Sequence, residues 1–362
     1  MKRIIALSLT LVMVMMLCAC GKEQPEPTVP TTTAPTTAPT TAPTEPTTEP
    51  TEPPVLYRHP LTGAPLDAPW SGQAVAVSVN NLKKAMPQKG ISQADILYEI
   101  EVEGDITRCL AVFTDLSQIA DIGPIRSART YFNSVAVSYD APLVHCGGSQ
   151  GLALSARYDD SYDKIDNWEH IDQSYNGKYF YRDTDRYNSG YAYEHTLFTT
   201  GEKLQQAVDA LGYNTPTEGN FGLQFKPDVD LNGEKAEEIT VTFKSKKKTI
   251  LTYDAAAGVY NVNMHGGEYV DGNTNQPVTF KNIIVLYTKQ WYHSDGMHKF
   301  YDTIGSGEGY AAINGKIVPI TWTRDTLRTC YTYTLADGTP LELDVGTSYI
   351  ALVGIKHDIA YK

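Results

Sequence analysis

The sequence predicts an α+β protein, a mixed α/β half followed by a β-rich half. Three observations carry that expectation. Ile96–Glu103 alternates strictly between apolar and acidic residues and turns back at Gly104-Asp105 into a second strand-like run, Ile106–Thr114. Apolar residues recur at helical spacing after Ser127 and again after Thr200. From about Ile239 onward the chain breaks into short extended runs separated by turn signals, the strongest being Asn314-Gly315.

The 362 residues suffice for about two domains. Domain boundaries are expected at 1–19 (leader), 20–54 (linker), 55–225 (mixed α/β) and 239–362 (β-rich), with Gly212–Glu238 as the junction. Lys2 and Arg3 precede a nearly unbroken apolar run, Ile4–Leu17, which has the size of a signal-peptide core rather than a membrane span. Leu17-Cys18-Ala19-Cys20 follows. This pattern resembles the cleavage site of bacterial lipoproteins, which implies cutting before Cys20 and lipidation of its thiol, palmitate included. Two or three acyl chains are enough for stable anchoring. Lys22–Pro54 is rich in Thr and Pro and offers nothing apolar to bury. It is expected to be a disordered, polyproline-like stalk reaching on the order of 100 Å.

The net charge is −12; removing the leader leaves 28 basic against 42 acidic residues, or −14. That balance argues against a nucleic-acid binder, which needs a basic footprint. Tyr is abundant, 24 against 9 Phe. Half-exposed strand positions are the expected place for it, and platforms for sugar rings are the alternative. Beyond Cys20, the odd count of Cys109, Cys146 and Cys330 without short spacing predicts buried thiols, neither a disulfide framework nor a metal half-site.

Within the first half, Ala74–Asn80 reads as a buried strand. The two-residue hairpin at Gly104-Asp105 would set Glu101 opposite Arg108, so that Arg108 partly neutralises an outward face of Glu99, Glu101 and Glu103. Ser127 is placed to cap a helix burying Tyr131, Phe132, Val135, Ala136 and Tyr139. Leu143–Cys146 is a short strand, and Gly147-Gly148-Ser149 turns into a helix from Gln150 to about Tyr158. Asp159–Glu169 reads as an acidic loop. Thr200 caps a helix facing Leu204, Val208 and Leu211 inward and stopped by Gly212. Gly305–Gly309 reads as a turn between strands.

Several motifs together resemble the YerB-like bacterial lipoproteins, a family of unknown function (domain of unknown function 3048). They are PLTG at Pro60–Gly63, the run QADILYEIEVEGDITR, IGPIRSAR at Ile122–Arg129 and HCGGSQ at His145–Gln150. YFYRD at Tyr179–Asp183, KNIIVLYT at Lys281–Thr288 and GSGEGYAAINGK at Gly305–Lys316 extend the match. The resemblance implies a layered β/β/α N-terminal domain, a β-rich C-terminal domain and an envelope location in Gram-positive bacteria. It implies no reaction, so no catalytic residue, metal or cofactor carries over. The sequence departs from the pattern at one place, where Glu194 rather than Pro precedes His195.

The chemistry of the IGPIRSAR segment favours an anion. A helix start offers unpaired amides and the positive end of the dipole. Arg126 and Arg129 add forked donors. The alternative is that both arginines pair internally with Glu99, Glu101 or Asp95. Gly147–Gly151 matches the letters of a nucleophile elbow, but the expected order of acid and base is missing, so Ser149 reads better as a cap. The expected ligand-binding set is Arg108, Arg126, Ser127, Arg129, His145 and Ser149, with Cys20 as the lipid attachment point. The expected protein is a lipid-anchored, extracytoplasmic binding or scaffold module. Its candidate partners are the membrane, a cell-wall polymer or another envelope protein. A cell-wall hydrolase or transferase and a purely structural protein are the alternatives.

Overall fold

Strands dominate and helices are few among the residues that the computed structural model describes, which are 57–148, 170–171, 177–213, 219–244, 247–355 and 359–362. The leader, Cys20, the Thr/Pro segment, Ser149, the helix expected from Gln150 and the acidic loop up to Glu169 lie outside them. From Pro54 to Lys362 the chain forms one unit.

The main elements begin with β1 (Val75–Asn80), β2 (Ile96–Val102) and β3 (Ile106–Phe113), then α1 (Thr130–Ser138), β4 (Leu143–Val144) and β5 (His170–Ile171). Next come α2 (Thr184–Asn188) and α3 (Gly201–Leu211), followed by β6 (Glu234–Lys235), β7 (Glu238–Lys244), β8 (Lys247–Asp254) and β9 (Val259–Met264). The last are β10 (Asn282–Thr288), β11 (Gly305–Ile313), β12 (Lys316–Arg324), β13 (Thr332–Thr334), β14 (Ser348–Gly354) and β15 (Ile359–Tyr361).

One large sheet runs β6-β12-β11-β10-β14-β2-β3-β1-β4-β5, with β13 added to β12. Its strands come from both sides of the Gly212–Glu238 segment. β14 joins them. It lies parallel to β10 from Asn282↔Ser348 and parallel to β2 from Ser348↔Ile96 to Leu352↔Ile100. A second sheet runs β9-β8-β7-β15, with two short strands added to β9. One apolar cluster joins Leu97, Ala111, Val285 and Ala351 of the large sheet to Val241, Leu251 and Val262 of the second. A separate cluster joins Tyr98, Ile100, Leu110 and Leu352 to Tyr131, Phe132 and Val135 of α1. The period-2 alternation of β2 is what lets one strand serve both clusters.

Several expectations from sequence are met. Thr200 caps α3, its hydroxyl accepting from Lys203 N at 3.1 Å, and Gly212 ends it at φ 74°. Asn314-Gly315 makes the tight turn between β11 and β12. Cys109 and Cys330 are buried, whereas Cys146 is only partly buried.

Others are corrected. The β2–β3 loop holds three residues, Glu103-Gly104-Asp105, because Val102 pairs Ile106. That extra residue moves the register by one, so Arg108 faces Ile100 and not Glu101, and its side chain goes to the opposite side of the sheet. Nor do Glu99 and Glu101 form an outward acidic face. They are 0% and 1% exposed, and each meets a lysine from far along the chain: Lys247 at 3.3 Å from Glu99, and Lys299 on Glu101.

Ser127 does not cap α1. Arg129 occupies that position, and the Ser127 carbonyl is taken by Arg108. Gly305–Gly309 is no turn but the first half of β11. A Cβ on Gly309 would sit 2.3 Å from the Val285 carbonyl, so only glycine lets β11 lie against β10 there. Many tyrosines are core residues, among them Tyr98, Tyr131, Tyr139, Tyr260 and Tyr349.

Candidate functional site

The two polar segments singled out in the sequence lie side by side. Cys146 N donates to Arg126 O at 3.0 Å and Ala128 N to Gly147 O at 3.0 Å. The IGPIRSA backbone is stitched in on its other side as well. Ile122 exchanges bonds with Thr199, Ile125 N donates to Leu197 O and Arg126 N to Ser78 O. A Cβ on Gly123, whose φ is +146°, would press to 2.8 Å from the Phe198 ring, so glycine permits that approach. Hydrogen bonds within the protein therefore consume the amides of Ile125, Arg126 and Ala128. Those three amides are not available to an anion, which leaves side chains as the donors on this part of the loop.

Those side chains divide into two groups. Arg129 is held by Glu103, with Nε at 2.8 Å and Nη2 at 2.6 Å from the same carboxylate oxygen, while Nη1 donates to Ala128 O. Burial alone would raise Glu103, but Arg129 and the Lys299 amide hold it below the usual carboxylate range. Arg108 is 4% exposed and donates to Ser127 O. Burial, with Arg129 and Arg126 close by, pushes it down to about 9, which leaves it charged at neutral pH. These two arginines act inside the fold. The acid that engages Arg129 is Glu103, not Glu99, Glu101 or Asp95. The three-residue loop brings it there. His145 is 6% exposed and its Nδ1 lies 2.8 Å from Gly147 O. A carbonyl only accepts, so this ring nitrogen carries the proton and turns the Gly147-Gly148 corner.

Arg126 differs. Its side chain is partly exposed, and its buried Nε has no hydrogen-bond partner among the described residues. Its carboxylate neighbour is Glu194, with Oε1 at 3.8 Å from Nη2, beyond hydrogen-bond reach. Ser127 is half-buried next to it.

Sequence reasoning did not anticipate the partner that tertiary structure brings to Arg126. His195, 3% exposed, lies with Nε2 at 3.8 Å from the same Glu194 oxygen. Its tautomer is set by its surroundings. Leu82 N donates to Asn80 Oδ1 at 3.1 Å, which fixes the Asn80 amide so that Nδ2 donates to His195 Nδ1 at 2.8 Å. The ring proton therefore sits on Nε2 and points toward Glu194 and Arg126. Burial lowers His195 first, Glu194 opposes, and Arg126, Arg186 and Lys84 lower it further, so the ring is neutral at pH 7. Three guanidinium groups, Arg108, Arg126 and Arg129, face two carboxylates, Glu103 and Glu194, on a chain that is acidic as a whole.

The comparisons agree with this architecture. The N-terminal domain described as "Protein of unknown function (DUF3048)" matches residues 61–214, and its C-terminal domain matches residues 239–350. The chain is similar to "Putative lipoprotein YerB" of Bacillus subtilis (strain 168), 29% identical over 279 residues, covering 73% of this chain and 80% of that protein. It is also similar to the crystal structure of YerB protein from Bacillus subtilis. The TM-score is 0.70 at 25% identity, with 84% of this chain and 99% of that one covered. No helix among the described residues is long and apolar enough to cross a membrane. With both domain profiles matched across most of its length, the chain belongs to the DUF3048 family of proteins of unknown function.

Proposed function

We propose that this protein is a lipid-anchored, extracytoplasmic binding module. Cys20 holds it to the membrane, the Thr/Pro segment spaces a layered β/β/α body away from it, and the face around Arg126 and His195 binds an anionic group of an envelope component. The observation that carries this reading is the incomplete pairing of Arg126. A buried guanidinium N–H without an acceptor costs free energy, and a small turn of the partly exposed Arg126 side chain would present its Nε–Nη2 edge to an oxyanion that supplies two acceptors at once. The His195 Nε2–H adds a third donor. Arg108, Ser127 and Arg129 hold the segment in place, and His145 fixes the neighbouring corner. The lipoprotein name of the Bacillus subtilis relative and the Leu17–Cys20 pattern both support the anchor.

Titration of the protein with inorganic phosphate and with sulfate tests the site. Arg126→Ala should weaken binding by tenfold or more, the loss of a charge-assisted bidentate contact. Glu194→Gln should tighten it about threefold to tenfold, because a half-exposed carboxylate that competes for Arg126 and repels the anion is removed. Phosphate affinity unchanged in both variants would sink the reading. The pH dependence has a defined sign. A bound dianion favours the imidazolium and raises His195 above its depressed free value, so sulfate binding should tighten as pH falls from the bound-state pKa toward the lower free one, and level off below it. Burial sets that free value first, and Glu194, Arg126, Arg186 and Lys84 act on it, with Asn80 bonded to Nδ1. A flat profile would leave His195 outside the site.

A further inference from the structure

We infer that the anion is carried on a sugar ring, and that Tyr193 and Tyr187 form the platform for it. This rests on the anion site proposed above and names the class of ligand. Among the described residues ten tyrosines are buried in the core, yet Tyr187 and Tyr193 are 58% and 59% exposed. Their rings meet edge to face at 6.5 Å. Tyr193 is not a loose side chain. The Arg182 guanidinium lies 3.9 Å from the centre of its ring and Nη1 donates to the Tyr193 carbonyl at 2.8 Å. One face of the ring is thus backed by a cation, and its exposure belongs to the rest of its surface. Holding an aromatic ring rigid in water has an entropic cost and no core benefit.

The platform adjoins the anion site through the chain itself. Tyr193 immediately precedes Glu194 and His195 in one short helical turn. A pyranose presents a flat face of C–H groups that packs on an aromatic ring, with hydroxyls at its edge that a tyrosine hydroxyl can meet. The platform requires a phosphate or carboxylate on such a ring to reach Arg126 while the ring rests on Tyr193. Phosphorylated and uronic-acid sugars share this chemistry.

Isothermal titration with three probes tests the inference: inorganic phosphate, glycerol 3-phosphate and glucose 6-phosphate. Glucose 6-phosphate should bind about fivefold to tenfold tighter than the other two, a gain of the size that aromatic packing supplies. Tyr193→Ala should remove that gain and leave inorganic phosphate binding unchanged, and Tyr193→Phe should keep most of it. Tyr187→Ala should reduce the gain in part. A melting temperature unchanged in Tyr193→Ala, expected of a residue so exposed, separates lost binding from lost fold. Equal affinity for glucose 6-phosphate and glycerol 3-phosphate, with Arg126-dependent phosphate binding intact, would overturn the sugar platform and keep the anion site. Absence of Arg126-dependent phosphate binding would overturn both. Repeating the titration with glucuronate distinguishes the carboxylate from the phosphate source.

Discussion

Glu99→Ala should destabilise the protein by about 3–5 kcal/mol, because it strands a lysine between two sheets. Glu99 is 0% exposed and is the acceptor for nearly every polar group around it. Oε1 receives Asn81 at 3.0 Å and Thr107 at 2.6 Å, with Lys247 Nζ at 3.3 Å. Oε2 receives Thr249 at 2.8 Å and Tyr349 at 2.7 Å. These partners come from three strands and the Asn81 corner, so one carboxylate of β2 ties that strand to β3, β8 and β14. Burial alone would raise Glu99, but Lys247, Thr107, Tyr349 and Thr249 together hold it below the usual 4.5. The sign of the pH effect follows. Its contribution is complete above that value and is lost as pH falls through the lower folded-state pKa.

His265, close to the same lysine, adds an earlier limb. Burial and Lys247 push it down to about 4 from 6.5, so the folded state resists its protonation and stability declines across that interval as pH falls. A denaturant series read between neutral pH and pH 4 should show that early limb, and His265→Gln should flatten it. In a double variant, Glu99→Gln with Lys247→Met should recover much of what Glu99→Gln alone loses, since neither charge is then left without its partner. Additive losses would mean that the ion pair is not what the site protects.

The second large effect is expected at Arg324. This side chain is 1% exposed and meets no carboxylate at ion-pair distance among the described residues. Its guanidinium spends all three nitrogens on neutral acceptors: Thr329 O at 2.8 Å, Ser134 Oγ at 2.9 Å, Thr303 O at 3.2 Å, Leu327 O at 2.7 Å and the Ser134 carbonyl. Ser134 lies in the middle of α1, so the end of β12 is bolted to that helix. Arg324→Met should cost about 3–5 kcal/mol, because buried carbonyls and a hydroxyl lose their donors. Arg324→Lys should recover little of it, since an ammonium cannot reach five acceptors arranged around a planar fork. Urea unfolding measures both. A lysine variant as stable as the parent would show that charge, not the fork, is what the site needs.

Local pattern made some of this legible. Alternation announced the β2–β3 hairpin, Thr200 and Gly212 bracketed α3, and Asn314-Gly315 marked its turn, because each signal lies within a few residues of what it specifies. What local pattern could not carry was pairing over distance. β14 enters the middle of the large sheet beside β2, and Tyr349 reaches Glu99 across 250 positions of sequence. The glutamates looked like an outward face because their lysines, Lys247 of β8 and Lys299, arrive from far along the chain. One extra loop residue sufficed to turn Arg108 to the opposite side.

The site shows the same division. Arg126 was visible in the GPIRSAR motif, and the structure sets that segment beside Cys146 and Gly147. Arg129 was visible too, but its role changed once Glu103 took it. His195 drew notice only for the Glu194 that precedes it, and nothing in the sequence linked either residue to Arg126. That link is made by Asn80 at the end of β1 and by the strand pairing of Ile122 with Thr199.

A crystal structure grown from phosphate would test the anion site most directly. Density for a tetrahedral ion should lie on the Nε–Nη2 edge of Arg126 and within hydrogen-bond distance of His195 Nε2, with Glu194 turned away. Arg126 instead closed onto Glu194 at salt-bridge distance, with phosphate bound elsewhere or not at all, would contradict it.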